Sequence, residues 1–194
     1  MIYDKLARGY DKFFSPLERW FLARWRAETL SNLPENSRLL EIGAGTGLNF
    51  KHYPETNFAA ASEISRKMLE FARLKTNYIR LVQTDAESLP FADDSFDAAF
   101  ATLVFCSIPE PQNAFRELKR TVRKNGKIVL LEHVRPNGWL GILFDALNVL
   151  TVAVFKDHFN RKTAKTAGNS GLKVLEVRQK AFGIVNLIIC EVVK

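Results

Sequence analysis

Three glycines at alternating positions follow a short apolar run, and this stretch carries the clearest chemical signal in the sequence. The run Leu39–Ile42 includes Glu41 and leads directly into the glycines, which are Gly43, Gly45 and Gly47. Glycine lets the backbone bend sharply there and approach a ligand without a Cβ in the way. The spacing is G-x-G-x-G, whereas the dinucleotide-binding pattern would need a glycine at the position of Leu48.

Two acidic residues indicate what kind of ligand the turn could hold. Glu41 lies just before the glycines, which disfavours a pyrophosphate and favours a cationic or amino-bearing ligand. Glu63 lies 22 residues further on, at the end of the next apolar run. An acid at such a strand end can accept hydrogen bonds from both hydroxyls of a ribose. The pattern therefore predicts either a site for a ligand with an amino group and a ribose or a structural tight turn.

The elements that would position these residues alternate along the chain. Short apolar runs predict five strands, at Leu39–Ile42, Phe58–Ala61, Tyr78–Val82, Phe96–Ala101 and Ile128–Leu131. Helices are predicted after the glycine turn and at Ser15–Leu30, Ser65–Leu74 and Pro111–Lys124. Strands that alternate with helices predict an α/β fold with a parallel sheet covered on both faces. At the end of the chain, Leu172–Arg178 and Ile184–Val193 predict a hairpin that makes one strand antiparallel.

Four motifs between Leu39 and His133 stand in a characteristic order. They are LLEIGAGTG, ASEISRKML, QTDAESLPFADDSFDAAF and FRELKRTVRKNGKIVLLEH. Together they resemble the class I S-adenosylmethionine-dependent methyltransferases, of the branch that includes quinone and small-molecule methyltransferases. The resemblance implies S-adenosylmethionine as the cofactor. It also implies a Rossmann-like sheet of seven strands, mostly parallel, with one antiparallel strand from the C-terminal hairpin and helices on both faces.

The resemblance assigns cofactor contacts to the residues that match its motifs. The glycines would pass the methionine moiety and the ribose, with Glu41 near the amino group and Glu63 on the ribose hydroxyls. Asp85, with the backbone amide of Ala86, would recognise the adenine. Backbone between Ala101 and Leu103 would line the sulfonium side. The pattern predicts no metal site.

Few residues are candidates for acting on the methyl acceptor. Methyl transfer from a sulfonium is an in-line displacement, so the protein mainly aligns the reactants and keeps the acceptor unprotonated. His133, at the carboxyl end of the fifth strand, is predicted either to act as a base or substrate contact or to be structural. Tyr3 and Tyr10 are seven residues apart on one helical face. The resemblance favours a lid over the cofactor that includes Tyr10, and a docked amphipathic helix is the alternative.

Two stretches suggest an amphipathic acceptor. Ser15–Leu30 interleaves aromatic residues with arginines, a pattern that suits a membrane interface. Trp139–Phe155 is apolar except for one narrow polar stripe, which predicts either a buried helix or a lid over an acyl chain. Basic residues that could meet phosphate follow it. They are Lys156, His158, Arg161, Lys162 and Lys165.

A second resemblance concerns the acceptor. The segment VFCSIPEPQNAFRELKRTVRKNGKIVLLEHVRP resembles both the bacterial phospholipid N-methyltransferases and the membrane-associated alkyl-thiol methyltransferases of animals. We therefore expect methyl transfer to a lipid or lipid-like acceptor, with the amine of phosphatidylethanolamine ahead of a thiol or a quinone ring. A non-catalytic, cofactor-binding partner subunit is the alternative from another class.

The resemblance also divides the chain. It implies an N-terminal helical lid at 1–36 and the cofactor-binding domain at 37–194, and the apolar stretch Trp139–Phe155 places a capping insertion near 137–165.

Composition sets the remaining expectations. The net charge is +7, and residues 111–194 hold 15 basic and 6 acidic residues, a field that suits anionic partners. The sequence shows no RNA-binding module and no stacking platform, so a nucleic-acid partner is not expected. Cys106 and Cys190 are predicted to be buried free thiols in a reducing cytoplasm. Peripheral contact of the protein with a membrane is a separate expectation, from the aromatic residues and arginines of Ser15–Leu30.

Overall fold

A seven-stranded sheet forms the centre of the computed structural model, which describes residues 18–136, 138, 141, 142, 144, 145, 148, 158 and 160–194. The strands are β1 (Ser37–Ile42), β2 (Thr56–Glu63), β3 (Arg80–Gln83), β4 (Phe96–Thr102), β5 (Val122–His133), β6 (Leu172–Lys180) and β7 (Val185–Val192). Their order in the sheet is β3-β2-β1-β4-β5-β7-β6. β1 to β5 pair in parallel, and β7 runs antiparallel to both β5 and β6. The predicted sheet, with its antiparallel strand from the C-terminal hairpin, is confirmed.

Helices cover both faces of the sheet. A π-helical turn at Glu18–Leu22 leads into α1 (Ala23–Leu30), and α2 (Arg66–Arg73), α3 (Pro111–Thr121) and α4 (Thr163–Asn169) follow. Leu30 of α1 packs with Val129 and Leu131 on one face of β5. Phe115 of α3 packs with Ile128 and Leu130 on the other face. Successive side chains of a strand point to opposite faces, so the apolar run of β5 supplies both cores.

Two predicted helices differ from what the structure shows, and the beginning of a third is not described. The helix predicted to reach Lys124 ends at Thr121, because the long strand β5 begins at the next residue. The helix predicted after the glycine turn is wrong: a 3-10 turn at Phe50–His52 follows instead. The beginning of the first predicted helix, at Ser15, lies outside the described residues, as do Tyr3 and Tyr10.

The segment Glu18–Leu33 is packed into the domain rather than set apart from it. Leu30 and Leu33 are buried in the same core as Leu39 of β1 and Leu187 of β7. The described part of the predicted N-terminal lid therefore shares a core with the sheet, and a lid role for residues 1–17 stays a prediction. No helix among the described residues is long and apolar enough to span a membrane.

Both cysteines are buried and free, as predicted. Burial raises the pKa of the Cys190 thiol to about 12. A thiol that is neutral at ordinary pH is a poor nucleophile, so Cys190 is a structural residue of β7.

Candidate functional site

The glycine turn bends in a way that its three glycines allow. All three have positive φ, at +67° for Gly43, +55° for Gly45 and +80° for Gly47. A Cβ added to Gly43 or Gly47 would lie 2.5 Å from Val104 or from the ring of Phe50. A Cβ on Gly45 would meet no atom within 4 Å. Two of the glycines are thus needed for packing, and the third presents backbone to open space where a ligand can approach.

Glu63 is held directly against this turn. It ends β2, and its Oε2 accepts a hydrogen bond of 2.9 Å from the backbone amide of Gly45. Its Oε1 accepts one of 2.8 Å from the amide of Ser65, the residue that caps α2 through a bond to Met68. Only 9% of Glu63 is exposed. The carboxylate predicted to bind a ribose is therefore fixed in orientation at the rim of the glycine turn.

The remaining predicted cofactor residues lie at the same edge of the sheet. Asp85 follows β3 and is exposed, and its Oδ1 accepts a hydrogen bond of 2.9 Å from the amide of Glu87, with Ala86 half-buried between them. Ala101 is wholly buried and pairs with Ile42, so only its backbone can line a site. Leu103 follows β4 with φ +61° and donates its amide to the carbonyl of Leu131 at 2.7 Å. The carboxyl ends of parallel strands meet at one edge, which is where such sheets bind ligands.

Glu41 lies beneath the glycine turn rather than at its surface. It is wholly buried, and its carboxylate accepts hydrogen bonds from Asn49 Nδ2 at 2.5 Å and Tyr53 Oη at 2.6 Å. Burial raises the pKa of Glu41 to about 7, although the hydrogen bonds from Asn49 and Tyr53 lower it. Its predicted contact with the amino group of a ligand stays a prediction, and the observed role is to hold the turn from below.

A buried cation connects α1 to this acid. Arg26 donates through Nη1 to Asn49 Oδ1 at 3.0 Å and to Thr102 Oγ1 at the end of β4. Its Nε lies 3.1 Å from Glu18, and both side chains are almost completely buried. Asn49 Nδ2 also donates to Thr102 Oγ1 at 2.8 Å. We call Glu18, Arg26, Glu41, Asn49, Tyr53 and Thr102 the sub-turn network.

Glu132 holds the loop that follows β4. It is wholly buried in β5, and its two carboxylate oxygens accept hydrogen bonds of 3.1 Å from the amides of Val104 and Phe105. Burial raises the pKa of Glu132 to about 8, against the lowering effect of those two bonds and of Arg161. Because Val104 packs against Gly43, Glu132 also supports the glycine turn through this loop.

Residues 40–130 match the family described as a methyltransferase domain. The chain carries a methyltransferase domain. The class I S-adenosylmethionine-dependent methyltransferase recognised in the four motifs is thereby confirmed, and with it S-adenosylmethionine as the cofactor.

Curated relatives with three different acceptors are similar to the chain. It is 30% identical over 139 residues to a demethylmenaquinone methyltransferase of Renibacterium salmoninarum, covering 70% of this chain and 58% of the relative. It is 34% identical over 117 residues to a phosphatidylethanolamine N-methyltransferase of Cereibacter sphaeroides, covering 57% and 58%. It is 32% identical over 142 residues to the mouse thiol S-methyltransferase TMT1B, covering 68% and 56%. The chain thus spans less than two thirds of the length of these relatives.

Solved structures share the fold. A chain of the complex between the Haloferax volcanii Trm112 methyltransferase activator and its candidate methyltransferase superposes with a TM-score of 0.81 at 16% identity, covering 99% of this chain and 98% of that one. An S-adenosylmethionine-dependent methyltransferase of Mesorhizobium loti superposes with a TM-score of 0.66 at 17% identity, covering 84% and 95%. At these identities the likeness concerns the Rossmann-like fold of the methyltransferase domain.

The methyltransferase domain has a site that fits its cofactor. Gly45 leaves room for the ligand to approach its backbone, and Glu63 offers an oriented carboxylate for the ribose hydroxyls. Asp85 follows β3, the next strand of the sheet, and stays the predicted adenine contact. The individual contacts assigned to these residues stay predictions.

The two predicted catalytic residues are placed differently. His133 is the last residue of β5, half-buried and paired with Val185 of β7. Strand alternation puts its side chain on the face of Leu131, opposite to that of Glu132. Tyr10 lies outside the described residues. A base or substrate-contact role for His133 and a lid role for Tyr10 stay predictions.

Sequence reasoning missed the residues that support the turn. The sequence did contain a signal for Glu132, which directly follows four apolar residues of a strand. An acid in a buried strand needs hydrogen-bond or ionic partners, so its position indicated such contacts. Arg26 gave no comparable signal, since Arg19 and Arg24 of the same segment have the same residue type and Arg24 is exposed. The burial of Arg26 follows from contacts with Asn49 and Thr102 that are distant in sequence.

Proposed function

We propose that this protein transfers a methyl group from S-adenosylmethionine to the amine of a phospholipid of the phosphatidylethanolamine type. The observation that carries methyl transfer is the meeting of Gly45 and Glu63 at the carboxyl edge of the sheet, where the turn is open to a ligand. The choice of acceptor is supported by the similarity to a phosphatidylethanolamine N-methyltransferase, at 34% identity.

The surface of the first helical segment also supports a lipid acceptor. Trp20 is 75% exposed and Phe21 54% exposed, and Arg24 is exposed on the following turn. Aromatic rings beside a cationic side chain suit the interface of a membrane, where rings meet the headgroup region and arginine meets lipid phosphate. We expect this surface to bring the site close to its acceptor.

S-adenosylmethionine supplies an activated methyl group on a sulfonium. The nitrogen lone pair of the acceptor attacks the methyl carbon, the carbon–sulfur bond breaks, and its electron pair stays on sulfur, which becomes a neutral thioether. The new N–C bond leaves the nitrogen with a proton to lose. A primary amine is mostly protonated near neutral pH, so a base is needed before attack. We propose His133, at the end of β5, as the base that accepts the proton that the ammonium group loses before attack.

The experiment is methyl transfer from labelled S-adenosylmethionine to phosphatidylethanolamine vesicles, with the label counted in the extracted lipid. We expect labelled lipid with the wild type and at least a hundredfold less with Glu63→Ala at limiting cofactor. The matched control is Glu70→Ala, which removes an exposed acid of α2 paired with the exposed Arg66. Equal activity of Glu63→Ala and Glu70→Ala contradicts the assigned site.

Two other acceptors are supported by relatives, and the same assay separates them. Parallel reactions receive a long-chain alkyl thiol or demethylmenaquinone in place of the phospholipid. These acceptors are chosen because one relative is named a thiol S-methyltransferase and another a demethylmenaquinone methyltransferase. Label in one of these products and none in the phospholipid reassigns the acceptor. No label in any product, while the cofactor still binds, favours a non-catalytic partner subunit.

A further inference from the structure

A basic pocket lies beside the carboxyl end of β5, separate from the glycine turn. Its volume is about 210 Å³. Its lining includes Val134, Arg135, Arg161, Lys162, Lys165 and Gly183. Four of these residues are cationic, and none of the described lining residues is acidic. We propose that this pocket binds the phosphate of the phospholipid acceptor, an inference that rests on the proposed function.

The backbone brings the pocket next to the predicted catalytic end of β5. The amide of Val134 donates to the carbonyl of Ile184 at 2.9 Å, and the amide of Arg135 donates to the carbonyl of Arg161 at 3.1 Å. Val134 directly follows His133. The wall of the pocket therefore begins one residue beyond the end of the strand at which we expect the amine to react.

The two lysines of the pocket are available for an anion. The side chain of Arg135 is engaged by Asp145, with contacts of 2.8–3.1 Å, and Asp145 also accepts from Asn160. Lys162 and Lys165 are exposed. Asp145 lies close enough to Lys162 for the ammonium to help lower the pKa of that carboxyl, but the hydrogen bonds of Asp145 go to Arg135 and Asn160. Lysine is a common point-charge partner of phosphate. The lysines thus leave positive charge at the mouth of the pocket.

An aromatic residue next to the pocket is almost fully exposed. Phe182, at the tip of the hairpin between β6 and β7, is 93% exposed and has φ +57°. Ala181 before it has φ +46°, and Gly183 after it lines the pocket. A left-handed backbone conformation costs free energy in residues other than glycine. The hairpin is therefore strained at the point where it exposes the ring of Phe182.

A second exposed apolar side chain follows a residue that lies against Arg135 of the pocket. Ile142 is 70% exposed, and its neighbour Gly141 approaches Arg135 so closely that a Cβ there would lie 2.5 Å from Arg135 Nη1. The exposed side chains of Phe182 and Ile142, next to the basic pocket, suit an anion that is joined to acyl chains better than they suit free phosphate. The volume is below the roughly 300–1,000 Å³ of pockets for drug-sized ligands, which suits a headgroup rather than a whole lipid.

The test variant is the double substitution Lys162→Gln and Lys165→Gln. The matched control, Lys124→Gln with Lys127→Gln, removes the same charge from the first half of β5, about 20–30 Å along the strand from His133. The substrate is dihexanoyl phosphatidylethanolamine, kept monomeric in solution so that general attraction to a membrane does not contribute. We expect KM for this lipid to rise about tenfold in the pocket variant with kcat within twofold. We expect the control variant and the pair Lys162→Arg with Lys165→Arg to keep the wild-type KM.

Binding measured without methyl transfer separates this proposal from the proposed function. Calorimetric titration with the same lipid should show the tenfold loss in the pocket variant, even if the wild type methylates no phospholipid. Equal affinity of the pocket variant and the control overturns the pocket. Inorganic phosphate is titrated in parallel, and Phe182→Ser is included. Phosphate binding as tight as lipid binding, with no effect of Phe182→Ser, overturns the assignment to a lipid in favour of free phosphate.

Discussion

Replacing Arg26 by methionine tests whether the sub-turn network holds the domain together. In the wild type, Arg26 contacts Glu18, Asn49 and Thr102, and its side chain is only 7% exposed. Methionine keeps an unbranched apolar stem but removes the cation, so Glu18 stays buried without its ion-pair partner. Breaking a buried ion pair from one side costs about 3–5 kcal/mol of unfolding free energy. For a domain of this size, that lowers the melting temperature by roughly 10 °C.

The assay is urea unfolding followed by circular dichroism, together with thermal melts. The matched control is Arg24→Met, on the same helix but exposed, which should change the unfolding free energy by less than about 0.5 kcal/mol. Arg26→Lys keeps the charge but lacks the planar guanidinium, so its loss of unfolding free energy should lie between those of Arg26→Met and Arg24→Met. A loss below about 1 kcal/mol in Arg26→Met, similar to that of the control, would refute the reasoning.

Three further predictions follow from the described contacts. Gly45→Ala should weaken cofactor binding at least tenfold in calorimetric titration and cost about 1 kcal/mol of unfolding free energy, because alanine is strained at φ +55°. Gly43→Ala carries the same kind of strain and also places its Cβ 2.5 Å from Val104, so it should lower the melting temperature further. Equal melting temperatures of the two variants contradict this. The folded pKa of Glu132, about 8, lies above its unfolded value, so its contribution to stability is complete below about pH 4.5 and is lost as pH rises through 8. Between about pH 4.5 and pH 8, the unfolding free energy of Glu132→Gln should fall less steeply with pH than that of the wild type. The same slope in both proteins counts against a raised pKa of Glu132. Cys190 should resist thiol-specific alkylation at pH 8 until the protein is unfolded, and rapid labelling of the folded protein would show that it is accessible.

Much of the sheet could be predicted because its signals are local. All seven strands overlap the predicted runs, and the change from alternating helices to two consecutive strands indicated the antiparallel end of the sheet. Ser65 was also predictable as the start of a helix, and its hydroxyl accepts the amide of Met68. The positions of Gly43 and Glu63 in the sequence were enough to place them at one edge, since adjacent parallel strands end together.

The support beneath the site could not be predicted in the same way. Arg26 meets Thr102, a residue 76 positions away, and sequence patterns do not show which arginine of a helix makes such a contact. The short 3-10 turn after the glycines has a similar cause. Asn49 turns inward to Arg26 and Thr102, which are 23 and 53 positions away, so tertiary contacts replaced the expected helix.

Arg26 of the sub-turn network and Glu132 together set a lower limit on the length of chain that can form the site. The stretch that carries the family match ends at residue 130, two residues before the acid that anchors the loop after β4. It also begins after Arg26, which lies beneath the turn from the other side. A fragment trimmed to residues 40–130 would keep every glycine of the turn yet lose both of its outer supports. Expression of such a fragment should therefore give a chain with the recognisable motifs but without a formed binding site.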